Sequence, residues 1–545
     1  MARDRVIRRW HDDAQAQEYR RLGIWGDRAL IELFDECVAR HPEKIAIIDD
    51  RVRWTYAELR DLSLRAAQLL LDLGVGPGDP VAVQVPSCGL LPLVHLAANR
   101  IGAIMVAVPT RWRRAEVGSL LRTVEAEVLI AVQSERGEDL CPLHEELRQQ
   151  LPGLRTILYA RTGSADSFEE QMLATDPLST EDQERLRLDP DEPAHVMCSS
   201  GTTGVPKASL WSGNDLIAML VHQTGEALEL TPDDVAAAIA PAGQGSTGYI
   251  FPILAPLLIG ATSAILEHWS PPEALELIVR EGCTYGTAIP TQMTMLLDLP
   301  LESVDLSRFT RFNNAGAPLA PRVAEQVEAR MGCRVQNVYG TTDGGVPTMT
   351  KVSDPDSARW NTVGRVCIGE EVELRDPDGS RVPPGKSGEL YWRGANNSYG
   401  YLNQPDYDSA NWGEDGWYRS GDLGCFDDDG YLQIVGRAKD MILRGGVNIF
   451  PIEVESLLSH HPQVLAVAIV PVADERLGER ACAAVVPAGV PPKLEDLTDF
   501  LTDKGLSKFK LPEFLVILDE LPINPGGKVD KRRLQSVVAE SLEVD

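Results

Sequence analysis

No C-x-x-C pair occurs anywhere in the 545 residues, and the nine cysteines, an odd number, are scattered along the chain. That excludes a disulfide framework and a zinc cluster, and it fits a reducing cytosol. Positive charge is also scarce: 52 basic against 81 acidic residues leave a formal net charge of −29 and a pI near 4.8. Such a surface repels phosphate backbones, so nucleic acid is excluded as a bulk partner and any phosphate site must be built locally. The opening MARDRVIRRWHDD is studded with charge and has no apolar core, which excludes a secretory signal; the expected location is cytoplasmic. Val235 to Leu266 carries no charge and is long enough to cross a bilayer. Its Pro241, Pro252, Pro256 and several glycines instead predict a buried helix followed by a strand, punctuated by Gly260, with no membrane span. Internal repeats and low-complexity tracts are absent.

What is present is ordinary globular material, 43% apolar and 24% charged. At roughly 150 residues per domain the length implies three or four core-sized units, which are subdomains if they share one body. KIAIIDD (44–50) and RVRW (51–54) predict a hairpin. Thr55 with Glu58 predicts a capping box opening a helix that ends at Gly74, with Leu59, Leu62, Ala66, Leu69, Leu70 and Leu73 at helical spacing. Strand-like PVAVQVP, a helix near 90–100, strand-like IMVAVP, a helix near 114–126 and VLIAV (128–132) follow. This is βαβ alternation with buried parallel strands. Residues 134–190 show weaker periodicity and end in the loop DPDEP; a second α/β block is expected from His195. After Asp354 short strands separated by turn residues predict a β-rich subdomain, and helix and strand mixtures return after GRAKD (436–440).

Ser199 to Lys207, SSGTTGVPK, directly follows apolar HVMC. Hydroxyls, glycines and a lysine on a loop after a strand can wrap an oligophosphate, since backbone N–H groups and hydroxyls donate while Lys207 supplies charge. A P-loop needs G-x-x-x-x-G-K-[ST]; here Pro206 precedes Lys207 and Ala208 follows it, leaving no hydroxyl placed for magnesium.

At this loop the chain resembles the adenylate-forming superfamily of acyl-CoA and aryl-acid ligases, peptide-synthetase adenylation domains and luciferases. The resemblance continues in family order through TYAEL (55–59), NAGAPL (314–319), VYGTTD (338–343), GEL (388–390), YRSGDL (418–423), GRAKDMILRGGVNIFPIEVE (436–455) and NPGGKVDKRRL (524–534). It implies an α/β fold: a large N-terminal domain, 1–436, of two doubly wound α/β subdomains plus a β-rich subdomain, and a small mobile α+β C-terminal domain, 437–545. It also implies roles. Ser199, Ser200, Gly201, Thr202, Thr203, Gly204 and Lys207 would hold the β and γ phosphates of ATP. Tyr339 would stack on adenine, with Gly316, Ala317 and Pro318 passing the ring edge and Gly340, Thr341 and Thr342 beside it. Asp422 would accept from both ribose hydroxyls, a geometry one carboxylate suits. Arg437 would contact ribose or phosphate, Lys439 would be the hinge, and Lys528 the mobile catalytic lysine reaching substrate carboxylate and α-phosphate. The family usually has Glu where this chain has Asp343; that residue is expected to ligate Mg2+, with the shorter side chain favouring ligation through a water.

The implied reaction is ATP-dependent activation of a small carboxylic acid as an acyl-adenylate, then transfer to a thiol. The N-terminal RRWHDDAQAQEYRRLGIWGDRALIELF resembles the opening of stand-alone aryl-acid ligases, which place a His-Asn pair where this chain has Gln244 and Gly245. The acid pocket is therefore expected around Gln244, Gly245, Gly248, Gly316, Thr341 and Val346, with vacated space at the glycines and an aryl or compact cyclic acid as substrate. Asp545 follows closely on the last motif, so the thiol, of a phosphopantetheinyl carrier protein or coenzyme A, is expected in trans. The alternatives are an acyl-CoA synthetase for a fatty or other aliphatic acid, and a member that diverts the adenylate to non-thioester chemistry.

Overall fold

The computed structural model describes residues 10–200, 206–243, 245–445, 447–474, 476–523 and 529–543. Local chemistry starts the first long helix where expected. The Glu58 amide donates to the Thr55 hydroxyl and the Thr55 amide to the Glu58 carboxylate, opening Tyr56–Asp72, and Gly74 lies just past its end at φ +84°. Its apolar face packs on the helix Leu90–Arg100, every residue of which is buried.

A six-stranded sheet runs in the order Pro206–Ser212, Pro193–Ser200, Ile104–Ala107, Pro80–Gln84, Val128–Val132, Thr156–Ala160. All its pairs are parallel except Pro206–Ser212 on Pro193–Ser200. The strands 80–84, 104–107 and 128–132 are buried at every position, as parallel strands covered on both faces must be. Two expectations change here. The strand through His195 pairs with Ile104–Ala107 and so extends the first sheet instead of opening a second block. The weakly periodic region 134–190 contributes the edge strand Thr156–Ala160, whose half-buried positions carry no clean alternation.

The second sheet has nine strands, from Arg365–Val366 at one edge through Gly345–Met349, Arg334–Thr341, Arg311–Asn314, Tyr285–Ala288, Val235–Ala238, Thr262–Ile265 and Ile45–Ile48 to Arg53–Thr55. Its middle is parallel, and the predicted hairpin 45–48/53–55 forms one edge. The uncharged stretch 235–266 begins with a strand, not a helix. Val235–Ala238 lies between two parallel neighbours, and that pairing overrides the helix preference of its alanines. A wide π-type helix, Ser246–Leu254, then encloses Pro252, which lacks the N–H for a regular turn, and Ala255–Ile259 ends at Gly260, φ +92°. Among the described residues no helix is long and apolar enough to cross a membrane.

The β-rich region is a four-stranded antiparallel sheet, Glu370–Arg375, Gly388–Gly394, Tyr418–Phe426 and Leu432–Arg437. A short turn, Ala438–Asp440, leads to a five-stranded sheet centred on the long pair Val464–Asp474 and Gly478–Pro487 and flanked by Pro451–Leu458, Leu494–Asp503 and Lys531–Glu543. The chain is thus α/β, with a large N-terminal and a small C-terminal region. All nine cysteines are free.

Candidate active site

Ser199 pairs with Lys207, and Ser200 with Pro206, across an antiparallel ladder. The phosphate-loop motif is therefore the connection of a β-hairpin. A P-loop leads from a strand into a helix; here a second strand, Pro206–Ser212, follows, so no helix begins directly after the motif. Lys207, on that strand, is half-buried. Its Nζ lies 3.7 Å from Asp343 Oδ2, donates to Tyr401 Oη at 3.2 Å, and sits over the rings of Tyr401 and Tyr407. Ser199 Oγ donates to Asp343 Oδ1 at 3.3 Å. A cation, a hydroxyl and a hard carboxylate thus meet at one point. The buried Tyr401 hydroxyl is pushed far above its ordinary pKa, by burial first and then by the Asp343 carboxylate, so it remains a neutral donor and acceptor.

Asp343 sits in the turn joining Arg334–Thr341 to Gly345–Met349. Thr341 Oγ1 accepts from the Gly344 amide at 2.8 Å, Trp392 Nε1 donates to the Gly344 carbonyl at 2.6 Å, and Ser398 Oγ donates to the Asp343 carbonyl. A Cβ on Gly344 would lie 2.4 Å from the Tyr418 ring, so this turn is clamped on the aromatic face of the four-stranded sheet and only glycine fits.

Asp422, 4% exposed, is the second carboxylate. Tyr339 Oη donates to its Oδ2 at 2.6 Å and Arg437 Nε to its Oδ1 at 2.8 Å. Burial alone would lower the Arg437 pKa; the facing Asp422 charge reverses that and raises it. Burial and then the Asp422 carboxylate raise Tyr339 well above the usual phenol value. Both Asp422 oxygens thus have partners, and the Tyr339 ring meets Trp392 edge-on at 6.0 Å. Nearby, Asn314 Nδ2 donates to Asn337 Oδ1 at 2.9 Å and to the Ala317 carbonyl at 3.2 Å, fixing the NAGAPL segment at the carboxyl ends of two parallel strands. Such ends are where open α/β sheets bind ligands.

Around the expected acid pocket, small residues converge. A Cβ on Gly245 (φ +73°) would lie 3.4 Å from Thr342 Oγ1, and one on Gly316 (φ +86°) 3.4 Å from Thr247 Oγ1 and 3.5 Å from Ile289. Gly340 is closed by the Gly345 carbonyl, 2.3 Å from where its Cβ would be. Gly248 corrects the expectation of vacated space: a Cβ there would lie 2.1 Å from the Pro241 carbonyl, so chain packing, not an open pocket, requires this glycine. Val346 is 4% exposed, with its main chain bracketed by Asn396.

Lys439 is exposed on the turn Ala438–Asp440. Gly201, Thr202, Thr203, Gly204, Gln244 and Lys528 lie outside the described residues, as does the side chain of Ser200. Thr247, Ile289, Asn337, Trp392, Ser398 and Tyr401 were not found by sequence reasoning, and Tyr418 is read there only as the first residue of YRSGDL, without a role. Among the described residues no cluster of three or more potential ligands forms a ready metal centre.

Residues 34–402 match the AMP-binding enzyme family, and residues 453–528 match the AMP-binding enzyme C-terminal domain. The medium-chain fatty-acid–CoA ligase of Escherichia coli is 33% identical over 541 residues, covering 96% of this chain and 94% of that protein. The salicyl-AMP ligase / salicyl-S-ArCP synthetase of Mycobacterium tuberculosis is 32% identical over 534 residues, covering 95% and 92%. An anthranilate CoA ligase solved with anthranoyl-AMP superposes with a TM-score of 0.84 at 23% identity, covering 94% and 98%, a likeness of fold.

Proposed function

The chain belongs to the AMP-binding enzyme family, and from that premise we propose that it adenylates an aryl or compact cyclic carboxylic acid and passes the acyl group to a carrier-protein or coenzyme A thiol. The observation that carries this is the meeting of Ser199, Lys207 and Asp343 beside the Asp422–Tyr339–Arg437 group, with the glycine-lined acid end next to both. In the first step a carboxylate oxygen bonds to the α-phosphorus of ATP as the bond to pyrophosphate breaks. In the second, the thiol sulfur bonds to the acyl carbon and AMP leaves. The first step brings anions together, so preorganised positive charge decides its rate. Lys207 stabilises the departing phosphates, and Lys528 reaches the α-phosphate and the acid. Asp422 receives the ribose, sharing its lone pairs with Tyr339 and Arg437.

Asp343 with the Ser199 hydroxyl fits Mg2+, an ion held by one or two carboxylates together with substrate phosphates. When bound, the ion offsets phosphate charge. The chain divides after residue 436, with Lys439 as the hinge on an exposed turn. Free cysteines throughout agree with a cytoplasmic location. The salicylate-activating relative favours an aryl acid; the E. coli relative favours a second reading, a medium-chain acyl-CoA ligase.

The test is product identity. With MgATP and a ring acid, the chain should release pyrophosphate and yield the acyl-adenylate by mass, then consume it on addition of coenzyme A or a holo-carrier. Hydrolysis of ATP with no acyl-adenylate from any acid would reject the proposal.

A further inference from the structure

Behind the acid end, three buried polar side chains from separate parts of the chain form one network. Gln223 lies on the π-type helix Ala218–Gly225, Glu370 opens the four-stranded sheet, and Asn396 follows the strand Gly388–Gly394; they are 4%, 8% and 0% exposed. The Asn396 side chain grips the main chain of Val346 on both sides, Oδ1 accepting from its amide at 2.8 Å and Nδ2 donating to its carbonyl at 2.9 Å. That Nδ2 also donates to Gln223 Oε1, while Gln223 Nε2 donates to the Ile368 carbonyl at 2.9 Å and to Glu370 Oε1 at 3.3 Å. Glu370 Oε1 also accepts from the Asn396 amide at 3.1 Å, closing the ring. The approach is so close that a Cβ on Gly345 (φ +86°) would lie 2.1 Å from Asn396 Oδ1, and one on Gly394 2.1 Å from Glu370 Oε2.

Every side-chain N and O of the two amides has a partner, and of the three side chains only Glu370 Oε2 has none among the described residues. A buried carboxylate with one bare oxygen is costly, whereas the neutral acid carries its proton there. Burial pushes the Glu370 pKa up to about 8: the Asn396 and Ala395 amides and the Gln223 side chain donate to it and lower it, but by less than burial raises it, Asp215 raises it further, and Tyr19 and Cys367 are both neutral.

We infer that Glu370, held as a neutral acid, is a positioning residue that acts through Gln223 and Asn396 to set the Gly345–Val346 main chain, and through it the wall that receives the substrate acid. The inference rests on reading Val346 as part of the acid pocket. Because the network touches neither Lys207 nor Asp422, its failure should be felt by the acid and not by ATP.

The experiment uses the full chain and separates KM for acid from KM for ATP. Asn396→Ala should raise acid KM about tenfold, the order expected for lost buried hydrogen bonds, with ATP KM within about twofold. Asn396→Asp, which keeps the size but places a carboxylate oxygen against the Val346 carbonyl, should act in the same direction if the alanine variant folds poorly. Glu370→Ala should follow it, and Glu370→Gln should rescue acid KM at neutral pH. In the parent, acid KM should climb as pH passes about 8, and Glu370→Gln should flatten that rise. Unchanged acid KM in Asn396→Ala, or equal rises for acid and ATP, overturns the inference.

Melting temperature gives a readout that does not depend on the functional reading. A raised folded pKa means the unfolded chain loses this proton first, so stability falls between about pH 4.5 and 8 and the loss is complete above the folded value. The parent should therefore lose more melting temperature across that window than Glu370→Gln, and parallel curves would overturn the neutral-acid assignment. If no acid supports adenylation yet the melting curves diverge, the functional reading has failed and the neutral network stands.

Discussion

The two ends of the candidate site, the one proposed to hold the nucleotide and the one proposed to hold the acid, are built from different chemistry. At the nucleotide end the functional groups are charged and paired: Lys207 with Asp343, Arg437 with Asp422. At the acid end, among the described residues, they are glycines, threonine hydroxyls and main chain, supported from behind by uncharged amides and a protonated carboxyl. Anions need preorganised charge, because in a partly buried site charge is worth more than in water. A ring needs shape and the absence of unpaired polar groups. Substitutions at the first end should change ATP and metal parameters; those at the second should change which acid is used.

The largest expected break is Lys528→Ala. Deleting the charge that offsets repulsion between acid and α-phosphate should cut acid-dependent ATP–pyrophosphate exchange about a hundredfold or more, with melting temperature unchanged. Exchange within a fewfold of the parent would show that charge at this position does not drive the step. Next is Asp422→Asn, which removes the negative charge and turns one of the two oxygens accepting from Tyr339 and Arg437 into an NH2 donor. ATP KM should rise about tenfold or more, as for lost hydrogen bonds to a charged group, while acid KM stays near the parent value. A rise in acid KM alone would reverse the comparison.

Asp343→Ala should raise the magnesium or manganese needed for half-maximal exchange severalfold, and Asp343→Glu should be tolerated; a metal titration identical to the parent's would remove Asp343 as a ligand. The smallest effects separate two glycines. Gly248→Ala should lower stability by about 1–3 kcal/mol, read by thermal melting, because its Cβ meets the Pro241 carbonyl. Gly245→Ala should cost about 1–3 kcal/mol of backbone strain, since φ +73°, ψ −152° is a conformation essentially only glycine adopts, and should raise KM for bulky acids more than for small ones. If Gly245→Ala leaves the acid preference untouched, Gly245 does not line the pocket.

The charged end is legible in the sequence because each charged residue sits inside a contiguous motif whose residue types already imply its task. Lys207 closes the hydroxyl-rich run, Asp343 ends YGTTD, and Asp422 lies in a turn sequence. Capping at Thr55 and the stop at Gly260 are legible for the same reason: both are local. The rest depends on contacts distant in sequence. Gln223 and Asn396 are 173 residues apart, and nothing around either residue marks a buried bond between them. The strand through His195 was recognisable as a strand, yet its neighbour, Ile104–Ala107, was not, since an apolar strand does not encode which sheet it joins. Gly248 shows the converse error. A glycine read from sequence as empty space is filled by the chain itself, which only the position of the Pro241 carbonyl reveals.

The measurement that tests the account most directly is acid-dependent ATP–pyrophosphate exchange with kcat/KM determined across benzoate, salicylate, 2,3-dihydroxybenzoate, aminobenzoates, cyclic non-aromatic acids and medium-chain fatty acids. An acid end whose described residues are glycine, threonine and main chain, with no donor side chain at Gly245 to demand an ortho hydroxyl, predicts ring acids with and without that hydroxyl within about tenfold of each other. It also predicts both classes well ahead of fatty acids. A preference on the order of 10⁴-fold for salicylate or 2,3-dihydroxybenzoate over benzoate, or a clear preference for fatty acids, would contradict it.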